Sequence, residues 1–86
     1  MSVLSKRLKE IRTKRGYSQE QLGLEAGLDA MSASARMNRY ELGKRTPDFS
    51  IVEKIAEVLN VPTAYFYAKE DDLAEMILNY KNVSKN

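Results

Sequence analysis

The sequence predicts a compact all-α domain of five to six helices. Apolar residues recur at helical spacing along most of the chain, and no segment alternates apolar and polar residues over the length of a strand. The 86 residues are 43% hydrophobic and contain only 4 Gly and 2 Pro, which is typical of a folded chain rather than a disordered one. Several short helices joined by short connections are expected to share one small core.

The first two helices are predicted by apolar spacing and by residues that start or end helices. Apolar residues at i, i+4 and i+7 predict a helix over about residues 3–14; they are Leu4, Leu8 and Ile11. Gly16 is expected to end this helix in the left-handed conformation. Ser18, followed by Gln21 three positions later, has the pattern of a capping box at the start of a second helix, which Gly27 closes.

The third and fourth helices follow from the same kinds of signal. The third carries apolar residues at i, i+4 and i+7, which are Ala33, Met37 and Tyr40, and it stops at Gly43. The segment 46–48 (Thr-Pro-Asp) predicts the start of a fourth helix, because proline and a carboxylate both favour a helix N-terminus. Asn60 is expected to end it. Its core face consists of Val52, Ile55, Ala56 and Leu59.

The C-terminal part is predicted to hold a short fifth helix and a longer last one. The fifth begins at Pro62 and carries three aromatic residues, Tyr65, Phe66 and Tyr67. The last helix is expected from about Asp71, and its acidic start is better explained by the helix dipole than by a metal site. We divide the chain into residues 1–68, which hold the first five helices, and residues 69–86, which form a C-terminal helix and tail of the same domain.

The composition excludes several classes of function. Cys and His are both absent, so the chain has no disulfide, no thiolate metal site and neither of the usual nucleophile pairs that depend on histidine. We therefore expect no metal, no cofactor and no enzymatic activity. No apolar run is long enough to span a membrane and no secretory leader opens the chain, so a cytoplasmic binding protein is expected.

Charge is distributed unevenly along the sequence. Residues 1–45 hold ten Lys or Arg against five acidic residues, whereas residues 46–86 hold four against seven. The N-terminal half therefore carries a net charge of +5 and the C-terminal half −3. The first half is suited to a polyanion, and the second half is expected to face away from it.

Two short helices separated by Gly27, with basic residues on and after the second, predict a helix-turn-helix over about residues 18–42. Several motifs occur in a characteristic order: Arg12, Ser18-Gln-Glu-Gln-Leu22, Ala26-Gly-Leu28, Tyr40-Glu-Leu-Gly-Lys-Arg45, Pro47, Lys54-Ile-Ala56, Leu59 and Val61. Through them the chain resembles the Cro/repressor-type (XRE) family over about residues 4–68. The resemblance implies a lambda-repressor-like fold, with residues 1–68 as the DNA-binding unit, and a regulator of transcription. It further implies a repressor that binds double-stranded DNA at an inverted repeat as a homodimer.

The face of the third helix opposite its core residues is the predicted base-reading surface. A rotation of about 100° per residue places Ala35, Asn38, Arg39 and Leu42 on that face. Candidates for base reading on and beside it are Arg39, Arg36, Ser34, Ala35, Asn38 and Ser32. Arg39 is the strongest, because a guanidinium can donate two bonds to guanine O6 and N7. Arg36 has two open interpretations, a base contact or a phosphate contact.

Phosphate contacts are predicted on both sides of this helix. Gln19 opens the second helix, and the resemblance implies that its side chain binds the DNA backbone; Lys44 and Arg45 follow the third helix and are similar to backbone contacts. The resemblance also implies that Arg12 pairs with Glu41 in an orienting salt bridge. The alternative is that Arg12 itself reaches a phosphate.

One departure from the family pattern concerns the start of the third helix. The distance from Gln19 to Glu41 exceeds the usual one by about four residues, close to one helical turn. Either the loop lengthens and Ser32 caps a helix of ordinary length, or Asp29 caps a longer helix that brings Met31 and Ser32 to the groove edge. Alanine-rich sequence without Gly or Pro favours the longer helix.

The C-terminal apolar residues are candidates for a dimer interface: Tyr65, Leu73, Met76, Ile77 and Tyr80. The alternative is that the last helix packs on its own core. A different functional hypothesis is an antitoxin or interaction module, in which the same fold holds a small protein partner.

Overall fold

Six helices make up the protein in a computed structural model that describes residues 2–84, and the side chains of residues 2–80. They are α1 (Val3–Lys14), α2 (Gln19–Glu25), α3 (Ala33–Glu41), α4 (Phe49–Leu59), a 3₁₀ helix (Thr63–Tyr67) and α5 (Asp71–Ser84). No strand occurs between residues 2 and 84. The predicted all-α fold of five to six helices is confirmed.

Local signals set most helix ends where the sequence predicts them. Ser18 Oγ accepts a hydrogen bond from the Gln21 amide at 2.9 Å, and Asp48 Oδ1 accepts one from the Ile51 amide at 3.0 Å. Gly16 ends α1 with φ 79°, and Asn60 ends α4 with φ 58°. The capping box is only half formed, because the Gln21 side chain donates to Glu25 instead of returning to Ser18.

One continuous core joins all six helices. Its fully buried side chains come from α1 to α4 and the 3₁₀ helix, and the largest are Phe66, Leu8, Ile11, Leu22, Met37, Ile55, Leu59 and Val52. α5 adds Ala74, with Ile77 and Leu78 partly buried beside it. The core residues predicted from helical spacing in α3 and α4 are all buried.

α2 and α3 cross at very short range, and Gly23 makes the crossing possible. A Cβ atom at Gly23 would lie 2.9 Å from both the Cβ and the carbonyl oxygen of Ala33. Ala33 is the first residue of α3, so this contact fixes where that helix begins against α2. The predicted helix-turn-helix therefore depends on the close contact between Gly23 in α2 and the first residue of α3.

The longer third helix expected from the sequence is wrong. α3 begins at Ala33, and residues 30–32 form a turn, so the additional residues lengthen the loop. Asp29 holds that turn: its carbonyl oxygen accepts from the Ser32 amide and its Oδ2 accepts from the Met31 amide, each at 3.1 Å. An aspartate that bonds the next amides competes with helix formation. Ser32 occupies the N-cap position, but its side chain makes no capping hydrogen bond.

A buried arginine attaches the C-terminal segment to α1. Arg7 is 4% exposed; its Nε and NH2 donate to the Ala68 carbonyl at 3.1 and 3.0 Å. Its NH2 group also pairs with Asp71 Oδ1 at 2.9 Å, at the first residue of α5. The Tyr65 ring lies beside the guanidinium, with 5.9 Å between its centroid and the Arg7 Cζ atom. Arg7 therefore positions the start of α5.

Candidate nucleic-acid interface

The face of α3 that points away from the core is open to solvent. Ala33, Met37 and Tyr40 are buried, as helical periodicity predicts. The exposed residues on the opposite side are Ser34, Ala35, Asn38, Arg39 and Leu42. We call this set the exposed face of α3. Ser32 and Arg36 lie at its margins and are half-buried.

An ion pair fixes the C-terminal end of α3 against α1. The Arg12 Nε and NH2 groups donate to the two carboxylate oxygens of Glu41, the second at 3.1 Å. Glu41 is only 3% exposed. Arg12 NH1 also donates to the Tyr17 carbonyl at 2.8 Å, just before α2. The guanidinium is thereby held by α3 and by the segment between α1 and α2, which orients the helix-turn-helix on α1.

Gln19 belongs to the same network. Its Nε2 donates to Glu41 Oε1 at 3.1 Å and to Asn38 Oδ1 at 3.2 Å. These side chains border a cleft of about 420 Å³ on one side of the exposed face of α3; its lining consists of Lys9, Arg12, Ser18, Gln19, Asn38, Glu41 and Leu42. The structure thus brings Gln19, which is predicted to contact a phosphate, into direct contact with Asn38, which is predicted to contact a base.

A smaller cavity of about 190 Å³ lies beside α3; it is lined by Ser32, Arg36, Arg39, Tyr40 and Arg45. We call it the arginine cavity. Arg36 NH2 donates to the Tyr40 hydroxyl at 2.8 Å. Arg39, by contrast, donates no side-chain hydrogen bond to any residue between 2 and 80, and its guanidinium is free to bind a ligand.

The loop after α3 keeps Lys44 and Arg45 close to the helix end. Both backbone amides donate to the Arg39 carbonyl, at 3.0 and 3.3 Å, and Gly43 turns the chain with φ 74°. Both side chains are exposed. Lys44 and Arg45, which are predicted to contact phosphates, therefore lie beside Arg39, the predicted base-reading residue.

The carboxylate of Asp48 lies close enough to Arg36 for their charges to interact. Its pKa is lowered, first by the hydrogen bond from the Ser50 hydroxyl, next by that from the Ile51 amide, and to a lesser extent by the charge of Arg36. Since its carboxylate caps α4, it is already bonded. It does not form an ion pair with Arg36.

The predicted dimer residues do not all reach the surface. Tyr65 is 5% exposed and packs edge-on against Phe66, with ring centroids 5.4 Å apart. It lies in the core because the 3₁₀ helix turns it toward α1, which removes it from the candidate interface. Ile77 is partly buried against the core. Leu73, Met76 and Tyr80 are exposed on α5.

Two further observations concern functions other than nucleic-acid binding. Between residues 2 and 84 no helix has the length and apolar character to cross a membrane. The same residues contain no group of three metal-ligating side chains.

Comparison with known proteins decides the family. A family model described as helix-turn-helix matches residues 8–66. The chain belongs to the XRE-type helix-turn-helix family. The matched region includes α2 and α3, the two helices that the sequence predicts to form the helix-turn-helix.

Two relatives of this XRE-type chain come from Bacillus subtilis. One is the SPbeta prophage-derived uncharacterized HTH-type transcriptional regulator YonR, 32% identical over 73% of this chain. The other is the HTH-type transcriptional regulator ImmR, 35% identical over 79% of this chain. The matched regions cover 55% and 50% of those proteins, so the chain spans about half the length of these relatives.

A solved structure shares the fold of this XRE-type chain. It is the crystal structure of the transcriptional regulator BswR, with a TM-score of 0.86 and 48% sequence identity. The match covers 94% of this chain and 80% of that one. The likeness therefore extends beyond the helix-turn-helix to nearly the whole chain.

Sequence reasoning missed two features of the site region. Arg7 was not singled out, although it lies three residues after Leu4 and four before Ile11, on the apolar side of α1. A charged residue in such a stripe is the signal that it is buried and paired. The second feature is the Arg36–Tyr40 pair, whose i, i+4 spacing indicates contact on one helix.

Proposed function

We propose that this chain is a sequence-specific repressor that binds an inverted-repeat operator as a homodimer, with the exposed face of α3 in the major groove. The observation that supports the proposal is that α3 is held in place along its buried side and at both ends. Its buried side packs on the core, its N-terminus contacts Gly23 and its C-terminal Glu41 is held by Arg12. A fixed helix with an open polar face is the element that enters a major groove.

Arg39 is the principal base reader in this proposal. It is exposed, it lies on the outward side of α3, and it has no side-chain hydrogen bond among residues 2–80 that a base would have to replace. Asn38 is the second, after its bond to Gln19 opens. Ser34, Ala35 and Ser32 lie at or next to the N-terminal half of α3; alanine offers only a methyl contact to thymine.

Backbone phosphates are assigned to residues on either side of that helix. Gln19 borders the cleft on one side of the exposed face of α3. Lys44 and Arg45 lie in the loop that follows α3, where their amides donate to the Arg39 carbonyl. Such contacts fix register on the duplex and carry no sequence information directly. Residues 1–68 contain all of these groups, which supports our interpretation of that segment as the DNA-binding unit.

The homodimer is supported by the apolar residues left open on α5. Leu73, Met76 and Tyr80 are exposed by 44, 68 and 61%, and their spacing of three and four positions places them on one side of the helix. A second copy covering this surface would bury them and leave both copies of α3 free. Repression needs no further activity, since a protein bound across a promoter blocks polymerase by occupancy.

Selection of bound sequences from random duplex DNA tests the proposal. We expect enrichment of an inverted repeat whose half-sites are about 34 Å apart, one turn of the double helix. A reporter gene with this operator in its promoter should lose expression when the protein is present. Absence of any enriched motif, together with copurification of a second small protein, would instead favour the antitoxin or interaction-module function.

A further inference from the structure

The arginine cavity gathers three positive charges, and the carboxylate whose pKa responds to one of them, that of Asp48, already caps α4. Arg36, Arg39 and Arg45 line it, the other two lining residues are Ser32 and Tyr40, and none of the five is acidic. Within the part of the chain whose side chains are described, none of the three arginines forms an ion pair. Like charges gathered at short range repel each other, and an anion among them removes that repulsion.

Arg36 is held in a fixed position within this cavity. Its NH2 group donates to the Tyr40 hydroxyl at 2.8 Å, and its Cζ atom lies 5.9 Å from the centroid of the Tyr40 ring. Tyr40 is 5% exposed and belongs to the core, so the hydroxyl is a rigid acceptor. A guanidinium held in this way retains several donors for a planar or tetrahedral oxyanion.

Arg36 and Arg39 differ in burial and in hydrogen bonding, which indicates different roles. Arg36 is half-buried at the margin of α3 and bonds along the helix, whereas Arg39 is exposed and without an internal partner. Arg39 lines the cavity and also belongs to the exposed face of α3. An anion in the cavity would therefore lie at the edge of the surface that meets the groove, where a DNA backbone passes.

We infer that the arginine cavity binds one phosphodiester group of the DNA backbone, with Arg36 and Arg45 as its donors and Tyr40 as the residue that positions Arg36. This inference rests on the proposed function and refines it. Of the two interpretations of Arg36 that the sequence left open, it selects the phosphate contact. Arg39 stays at the rim of the cavity, available to a base.

The salt dependence of DNA binding tests this assignment. Affinity is measured at several salt concentrations for the preferred duplex and for an unrelated duplex. Arg36→Ala should weaken both by the same factor and lower the log–log slope, and Arg36→Ala combined with Arg45→Ala should lower it by about 0.9, the value for the one phosphate contact that the two residues share. Arg36→Lys should keep the slope, because the charge remains, while losing affinity because the forked geometry is gone. Tyr40→Phe should keep the slope and weaken both duplexes equally.

Lys69→Ala is the matched control, since it removes one exposed positive charge from the C-terminal half. An Arg36→Ala slope no different from that of Lys69→Ala would overturn the inference and leave the proposed function intact. So would a change in the ratio of the two affinities at constant slope, which would make Arg36 a base reader.

Titration with inorganic phosphate shows whether the cavity binds a phosphodiester of DNA or a free phosphate ion. The Arg36 Nε–H resonance is followed by NMR while phosphate is added to the free protein and to the protein bound to duplex. Phosphate shifts seen only in the free protein, and displaced by duplex, support a backbone site. Saturable phosphate binding by a protein that binds no duplex would assign the cavity to a free phosphate and would contradict the proposed function as well.

Discussion

The buried carboxylate of Glu41 organises the side chains around the C-terminal end of α3. It accepts from two nitrogens of Arg12 and from the Gln19 side chain, and it is almost fully removed from water. A carboxylate in such a position is stable only while its partners remain, because an unpaired buried charge is costly. The family resemblance implied this salt bridge, and the distances show why Gln19 shares in it.

Removing either partner of the ion pair should be more harmful than removing both. We expect Arg12→Met or Glu41→Leu alone to lower the free energy of unfolding by about 3–5 kcal/mol in the buried limit, because each leaves one charge unpaired. The double variant should recover much of that loss. Thermal and denaturant unfolding of the four proteins measure the coupling. Losses that simply add would contradict an energetic link between the two residues.

Local signals and long-range contacts differ in how far the sequence reveals them. The ends at Ser18, Asp48, Gly16 and Asn60 were predictable, since each depends on a side chain or a backbone preference within a few residues. The start of α3 was not. It is determined by the packing of Ala33 on Gly23 and by a turn around Asp29, and the first of these joins residues from two helices.

The same distinction applies to the candidate site. Periodicity alone predicted which residues of α3 face outward, because three core residues define the opposite side. The burial of Tyr65 and of Arg7 was not predictable in this way, since both depend on how the 3₁₀ helix and α5 return to α1. The contacts of Gln19 with Asn38 likewise exist only once α2 and α3 have packed.

The α2–α3 crossing gives a prediction at Gly23. Replacing a helical glycine by alanine normally stabilises a helix by about 1 kcal/mol. Here the added Cβ meets Ala33 backbone and side chain at 2.9 Å, so Gly23→Ala should instead destabilise, with overpacking costing about 1–3 kcal/mol. DNA affinity should fall as well, because α3 must shift. Chemical denaturation provides the measurement, and a variant more stable than the wild type would contradict the close approach.

The ion pair between Arg7 in α1 and Asp71 in α5 gives a prediction about how the free energy of unfolding depends on pH. The pKa of Asp71 is lowered, first by the hydrogen bond from Arg7 and then by the nearby charge of Lys6. A lowered folded-state pKa means that the stabilisation is present above the unfolded value of 3.8 and is lost as pH falls through the folded-state value.

Asp71→Asn isolates that contribution. Its unfolding free energy should lie below that of the wild type near neutral pH, and the difference should shrink as the pH falls through the lowered pKa of Asp71. Asp72→Asn is a suitable control, because Asp72 also lies in the first turn of α5 but has no ion pair among the described residues. An Asp71→Asn difference that stayed constant with pH would contradict the pairing with Arg7.

At the scale of the whole molecule, the net charge differs between the two halves of the chain. The net positive half contains α1, α2, α3 and the following loop, while the net negative half ends in α5, on which Leu73, Met76 and Tyr80 are exposed. Under the proposed function, DNA binding and self-association therefore use separate surfaces, the exposed face of α3 and α5 respectively. We accordingly expect that substitutions on the exposed face of α3 leave self-association unchanged, and that substitutions on α5 affect binding to the full operator but hardly affect binding to a half-site.

Met76 provides the test of that separation. Met76→Lys should convert the proposed dimer to a monomer, seen by analytical ultracentrifugation at tens of micromolar protein, and should weaken binding to the full operator far more than to a half-site. Met76→Leu, which keeps the apolar surface, should behave as the wild type. A wild-type protein that is monomeric both alone and on the operator would contradict the dimer.

The most direct test of α3 as the reading element combines a protein change with a change to one atom of DNA. Each guanine of the selected site is replaced in turn by 7-deazaguanine, which lacks the N7 acceptor in the major groove. At one guanine, the wild type should lose affinity corresponding to part of the about 1–3 kcal/mol of a bidentate contact, while Arg39→Ala should be insensitive. Equal sensitivity of both proteins at every guanine, with Arg39→Ala weaker on all duplexes alike, would contradict base reading by α3.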